Sequence, residues 1–144
     1  MDAKTMWEQY ASQHGIVATF DAWCFGDDAD ALAQLVLDGK KTATSSAYSL
    51  YALEGDEFPE EGQYSVILWS DETAACIIKT TKVSVVPFCD VSSDHAFQEG
   101  EGDRSLAYWR KVHHRFFAEE LESLGLVFTD SMQVVCEEFV CLYP

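Results

Sequence analysis

The residues best suited to chemistry are concentrated in one short segment, Gly39-Lys40-Lys41-Thr42-Ala43-Thr44. Lys41 offers an amine and Thr44 a hydroxyl, and a threonine hydroxyl becomes a nucleophile when a neighbouring group takes its proton. In a regular strand these two side chains would point to opposite faces, so they meet in one pocket only if the chain bends or bulges between them. The segment therefore predicts a small catalytic or binding site at an irregular corner of the fold.

That corner lies between a predicted helix and a predicted strand. Leucines and alanines recur at helical spacing, which predicts a helix over about 28–38. Gly39 stands where a left-handed cap ends such a helix, and the β-branched Thr42 and Thr44 favour a strand beyond it. Irregular junctions of this kind are where functional sites are often built.

Two carboxylates further along the chain are candidates to complete the site. Glu99 and Glu101 flank a glycine, and either could point into a pocket beside Lys41. The alternative is that both are solvated loop residues near the positive end of the helix that follows. Asp103 or Ser105 is the predicted N-cap of that helix, which runs to about residue 124.

The rest of the pattern predicts a single α+β domain over 1–144, with a mostly antiparallel sheet flanked by helices. The predicted segments are a helix at 2–13, a packed connector at 16–27, strands at 64–69, 73–88 and 133–142, and an acidic loop at 54–62. Neither a repeat nor a linker divides the chain.

The charge restricts the class of partner. With 25 acidic and 9 basic residues, the formal net charge of the 144-residue chain is −16. Such a chain repels a polyphosphate backbone, so no DNA duplex is expected as a partner, whereas a small and weakly charged ligand is compatible. No apolar run is long enough to cross a membrane, and the first residues lack the pattern of a secretion signal, so we expect a cytoplasmic protein without a membrane partner.

The cysteines and histidines do not predict a metal or a cofactor. The five cysteines form no Cys-x-x-Cys pair, and most lie among aliphatic residues, as buried thiols do. His113 and His114 point about 100° apart on a helix, so they cannot chelate one metal ion together. We expect one of them to face the core edge and the other to face solvent, and we expect His95 to lie in a loop or to cap a helix.

The segment Gly39-x-Lys41-x-x-Thr44 resembles the signature of the ASCH domains, a family of PUA-like β-barrels. His95-Ala96-Phe97-Gln98-Glu99 is similar to the second segment of that family, and 136–142 is similar to its closing strand. The run 99–106 is similar to that of the larger, poorly characterised branch. The resemblance covers roughly 28–142 and implies a PUA-like, mostly antiparallel barrel, with 1–27 as an N-terminal helical extension.

Small members of this family hydrolyse the acetamide of N(4)-acetylcytidine with a lysine, a threonine and a glutamate. Position by position, the resemblance implies these roles for Lys41, Thr44 and Glu99. Glu99 either accepts the proton of Thr44 while Lys41 polarises the carbonyl, or shares one proton with Lys41. Ser46 stands where the signature commonly has an arginine, the natural bidentate partner of a phosphate, and this disfavours a phosphate-bearing substrate.

Three functions follow as hypotheses. The first is an amidohydrolase that acts on an acylated pyrimidine nucleoside. The second is a module that binds a modified nucleoside or an RNA feature without catalysis, and the third is a ribonuclease. Candidate ligand contacts are Ser46, Glu101, Arg104 and two tyrosines, Tyr48 and Tyr51, which follow the signature strand into a predicted loop. Stacking of a base on such a ring is worth about 1–3 kcal/mol.

Overall fold

The computed structural model describes residues 1–144, and it contains five α-helices, one 3-10 turn and five strands. In chain order these are α1 (Ala3–His14), β1 (Phe20–Trp23), α2 (Ala29–Leu37), β2 (Ala43–Ala47), α3 (Tyr48–Glu54), β3 (Tyr64–Leu68), β4 (Ala74–Pro87), the 3-10 turn Phe88–Asp90, α4 (Ser93–Glu99), α5 (Leu106–Ser123) and β5 (Gln133–Tyr143). None of the helices combines the length and the apolar character that a membrane crossing requires.

The three predicted helices are confirmed. Asp2 accepts a hydrogen bond from the backbone N–H of Thr5 at the start of α1, and Asp28 caps α2 in the same way. The N-cap of α5 is Ser105, the second of the two residues predicted for that position. Gly39 follows α2 with a φ of 76°, a left-handed conformation that suits a residue without a Cβ.

The five strands form one sheet in the order β1-β3-β4-β5-β2. Every neighbouring pair is antiparallel except β1 and β3, which are parallel, so the predicted mostly antiparallel sheet is confirmed. β1 and β2 are the two edges and do not pair, so the expected closed barrel is not formed. A cleft lined by both edge strands occupies the gap that closure would have filled.

Three short elements differ from the prediction. The predicted connector at 16–27 contains β1, and the predicted loop that carries Tyr48 and Tyr51 is helix α3. His95, expected in a loop or at a cap, lies inside α4 and is buried. Helices of seven residues make only about two turns, so they present too little periodicity to be recognised in a sequence.

The core holds the site-bearing elements in place. On one side of the sheet, α5 packs against β5 through a cluster of buried apolar residues, among them Trp109, Phe117 and Val134. A second cluster joins α2 to the sheet through Ala33 and Val36, and a third joins α1 to β3 and β4. Because α2 and α5 are both anchored in this way, the residues at the end of α2 and along α5 are held in a fixed relation.

Candidate functional site

The predicted bend after α2 is present, and it buries Lys41. The backbone N–H groups of Lys40 and Lys41 both donate to the carbonyl of Leu35, which extends the end of α2. The N–H of Thr42 then donates to Gln98 O at 2.7 Å, and strand β2 begins only at Ala43. Lys41 is therefore turned inwards, and only 2% of it is exposed.

Glu99 is the centre of the buried polar cluster around Lys41. Its Oε1 lies 3.2 Å from Lys41 Nζ and 3.5 Å from His113 Nε2. Its Oε2 accepts a hydrogen bond from the hydroxyl of Ser45 at 2.9 Å and lies 2.9 Å from His95 Nε2. The indole N–H of Trp109 also donates to Oε2. Five side chains from β2, α4, α5 and the bend thus meet at one carboxylate that is 1% exposed.

The two acidic side chains of the cluster differ in protonation behaviour. Burial alone would raise the pKa of Glu99, but the charge of Lys41 and the hydrogen bonds from His113 and His95 outweigh it and hold that pKa well below its ordinary value. Glu101, whose Oε2 lies 3.4 Å from Lys41 Nζ, has a raised pKa, mainly because it is buried and against the opposing charge of Lys41. Glu99 is therefore a fixed carboxylate, and Glu101 is the better proton acceptor.

His113 responds to the same carboxylates. Burial would lower the pKa of its imidazole, but the hydrogen bond and the charge of Glu99, together with the charge of Glu101, raise it. The neighbouring His114 is exposed, so the prediction that one histidine of the pair faces the core and the other faces solvent is confirmed.

Thr44 and Lys41 line one cavity. This cavity of about 50 Å³ is also lined by Ser45, Glu99 and Glu101. A larger cleft of about 510 Å³ lies beside it and shares Thr44 and Ser45 with it. Thr44 and Ser45 therefore separate a buried charged cluster from a space that can hold a ligand.

The predicted ligand contacts divide into two groups. Ser46 and Tyr51 both line the larger cleft, and their hydroxyl groups are 2.6 Å apart. Tyr48 contacts the ring of Phe58 and does not line either cavity. Arg104 lies outside both cavities too.

Arg104 instead makes contacts that hold two loop segments together. It donates to Phe97 O at 3.0 Å and to Lys40 O at 3.1 Å, and its guanidinium group lies 3.6 Å from the centre of the Phe97 ring. These contacts tie the loop after α4 to the residue before Lys41, and so help to place the lysine beside Glu99.

Among the residues that complete the cluster or the cleft, sequence reasoning did not name Ser45, His95, Trp109, His113 or Glu137 as site residues. His95 and Glu99, like Trp109 and His113, are four residues apart, and this spacing places each pair on one helix face. That spacing could have found His113 on the predicted helix α5, and it could have found His95 had α4 been recognised. No local signal marks Ser45 or Glu137, because their partners depend on the pairing of distant strands.

Glu99, Glu101 and His113 could in principle hold a cation, since one ligand atom from each lies within 4.8 Å of the others. The Nζ atom of Lys41 is within 3.4 Å of a carboxylate oxygen of both glutamates. A metal ion there would compete with the ammonium group for the same oxygens.

The comparisons with known proteins agree with the fold and with the signature. The model of the ASCH domain family matches residues 21–143. Protein EF3133 from Enterococcus faecalis V583 is 36% identical over 97% of this chain and 87% of its own, with a TM-score of 0.89. An ASCH domain from Lactobacillus crispatus JV V101 is 34% identical over 98% of this chain and 94% of its own, with a TM-score of 0.88.

A more distant structure, hypothetical protein PH0355, shares the fold at a TM-score of 0.57 and 17% identity, over 86% of this chain and 100% of its own. No curated protein matches the chain. The fold is thus shared with solved structures of one class. The chain belongs to the ASCH domain family.

Proposed function

We propose that the protein is an amidohydrolase that cleaves the N-acyl bond of an acylated pyrimidine nucleoside such as N(4)-acetylcytidine. The observation that carries the proposal is the position of Thr44, which lines both the cavity of Lys41 and the larger cleft. A substrate in the cleft would present its acyl carbonyl to a hydroxyl that is backed by an amine and two carboxylates.

The pKa directions support a division of roles among these residues. Thr44 Oγ attacks the carbonyl carbon, and its proton passes to Glu101, whose raised pKa suits a proton acceptor. Lys41 Nζ is held by Glu99 and donates a hydrogen bond to the carbonyl oxygen as negative charge develops on it. The C–N bond then breaks, the proton from Glu101 goes to the departing amine, and water hydrolyses the acyl ester on Thr44.

Glu99 in this scheme is a positioning residue rather than the proton acceptor. Its carboxylate already has five side-chain partners, and its lowered pKa makes it a weak base. This differs from the first of the two sequence hypotheses, in which Glu99 took the proton of Thr44.

The size and the lining of the cleft support a nucleoside-sized substrate. Its volume of about 510 Å³ falls within the roughly 300–1,000 Å³ of typical small-molecule sites. Trp23, Phe25, Tyr51 and Phe116 provide aromatic surface, and no lysine, arginine or histidine is present to bind a phosphate.

The test is incubation of the purified protein with N(4)-acetylcytidine, with cytidine release followed by chromatography. Thr44→Ala is expected to lower kcat by at least about a thousandfold, since loss of a covalent nucleophile removes the pathway itself. Thr42→Ala is the matched control, because that threonine is exposed and lines neither cavity, and it should keep the wild-type rate.

Ser45→Ala distinguishes the hydroxyl group of Ser45 from that of Thr44 as the nucleophile. If Ser45→Ala abolished turnover while Thr44→Ala kept it, Ser45 would be the nucleophile and the assignment of Thr44 would be wrong. A folded wild-type protein that released no cytidine would reject N(4)-acetylcytidine as the substrate.

A further inference from the structure

The larger cleft has an unusual charge composition for a site proposed to bind a nucleoside. Its lining includes six carboxylic acids and not one basic residue. These acids are Asp21, Glu54, Asp56, Glu57, Glu120 and Glu137. They come from β1, α3, the loop after it, α5 and β5, so that negative charge surrounds the cleft from several elements. Four aromatic rings, those of Trp23, Phe25, Tyr51 and Phe116, also line the cleft.

Glu137 differs from the other five acids because it is buried. It lies in β5, where its Cα pairs with that of Thr44 on β2 and that of Val83 on β4. Residues opposite each other in an antiparallel pair project from the same face, so Glu137 and Thr44 project from one face of the sheet. Only 9% of Glu137 is exposed, and the residue lines the cleft.

The contrast with Glu99 shows what Glu137 lacks. Glu99 is surrounded by Lys41, His95 and His113, whereas Glu137 forms no ion pair with any basic group. Burial raises the pKa of Glu137 to about 7, and only Thr80 opposes the rise. A buried carboxylate without a cationic partner is costly, and a cation supplied by a ligand would offset that cost.

We propose that the cleft binds an organic cation and that Glu137 is the residue that anchors it. Aromatic faces and carboxylates together are the surroundings that bind organic ammonium and amidinium groups. The same acids repel phosphate and carboxylate groups. The ligand class is therefore a planar or aromatic molecule with a positively charged nitrogen group and no phosphate.

The inference goes beyond the proposed reaction and does not depend on it. Applied to that reaction, it favours an acylated amine whose remaining part carries a positive charge over a phosphorylated nucleotide. The cleft would select such a ligand even if Thr44 were not a nucleophile.

The test uses three probes of the same shape and different charge: benzamidine, which is cationic, benzamide, which is neutral, and benzoate, which is anionic. Binding is measured by calorimetry and by ligand-observed NMR at pH 8. We expect benzamidine to bind at least about tenfold more tightly than benzamide, a difference of about 1.4 kcal/mol, and benzoate to show no binding.

Two variants connect the binding to Glu137. Glu137→Gln keeps the size of the side chain and removes its charge, and it should weaken benzamidine binding at least about tenfold. Glu119→Gln removes one charge from the exposed face of α5 and should change the affinity less than about twofold.

Several results would overturn the inference. These are no binding of benzamidine to the wild-type protein at millimolar concentration, equal binding of benzoate, or undiminished binding in Glu137→Gln. Hydrolysis of N(4)-acetylcytidine is assayed separately, so that failure of the binding inference and failure of the proposed reaction give different patterns of results.

Discussion

Glu99 and Glu137 are two buried glutamates whose surroundings lead to opposite behaviour. Lys41 and two histidines favour the charged form of Glu99 and hold its pKa well below its ordinary value despite burial. Burial without a basic partner raises the pKa of Glu137 to about 7. Glu99 thus contributes stability that is present above its unfolded pKa and is lost as the pH falls. Glu137 shows the opposite pH dependence, because its contribution to stability is lost as the pH rises.

The pH dependence of the free energy of unfolding should show the contribution of Glu137. The pKa of Glu137 rises from 4.5 to about 7 on folding, so the stabilisation that its protonation provides is complete below 4.5 and is lost as the pH rises through 7. Glu137→Gln cannot ionise. Relative to the wild type, this variant should therefore become more stable by about 2–3 kcal/mol between pH 5 and pH 8, at 1.36 kcal/mol per pKa unit. Urea unfolding of both proteins at pH 5 and pH 8 measures this difference in the free energy of unfolding.

The control for this prediction is Glu119→Gln, which removes a charge of the same sign from an exposed position. Its stability relative to the wild type should not change between the two pH values. If the difference in unfolding free energy between Glu137→Gln and the wild type were the same at both pH values, Glu137 would titrate in the folded protein as it does in the unfolded chain.

At the scale of elements, the site depends on how closely α4 approaches the bend after α2. Gly100 ends α4 with a φ of +77°, and a Cβ atom there would lie 2.3 Å from the carbonyl oxygen of Lys40. Only a glycine permits this contact of two backbones. The contact places Glu99 directly beside Lys41, which follows Lys40 in the chain.

Gly100→Ala should therefore destabilise the fold and disturb the cluster together. Gly55→Ala is the matched control, since Gly55 also ends a helix with a positive φ of +70° but has no atom within 4 Å of the added methyl group. It should cost about 1–2 kcal/mol from backbone strain alone. Gly100→Ala should cost at least about 2 kcal/mol more, measured by urea unfolding. Equal costs at the two positions would show that the bend moves aside freely.

The elements also show which parts of the fold and of the site can be predicted from the sequence. Helices α1, α2 and α5 carry capping residues and long amphipathic patterns, and all three were predictable. Local signals also marked Lys41 and Thr44. The short α3 and α4 gave no such pattern, and β1 has only four residues. The pairing of Thr44 with Glu137 joins strands that are far apart in the chain, so no local pattern could reveal it.

For the whole molecule, the distribution of charge favours small ligands over polymers. The net charge of −16 lies on a protein whose larger cleft also contains only acidic ionisable side chains besides Tyr51 and Cys24. A field of one sign attracts small cations and repels polyanions, and it does so more strongly at low ionic strength. Salt dependence therefore distinguishes a nucleoside-sized ligand from an RNA chain.

We expect a fluorescent single-stranded RNA of about 20 nucleotides to show no binding in an anisotropy titration at 150 mM salt. Lowering the salt to 20 mM should not produce binding, because repulsion between the acidic protein and the phosphates is then less screened. An RNA-binding protein behaves in the opposite way, since its affinity rises steeply as salt is removed. The same RNA with one N(4)-acetylcytidine in its sequence is also titrated, and its affinity is compared with that of the free nucleoside. Affinity for that RNA that increased at low salt would identify basic contacts with the backbone and would favour the RNA-binding hypothesis over a cleft that selects small, phosphate-free ligands.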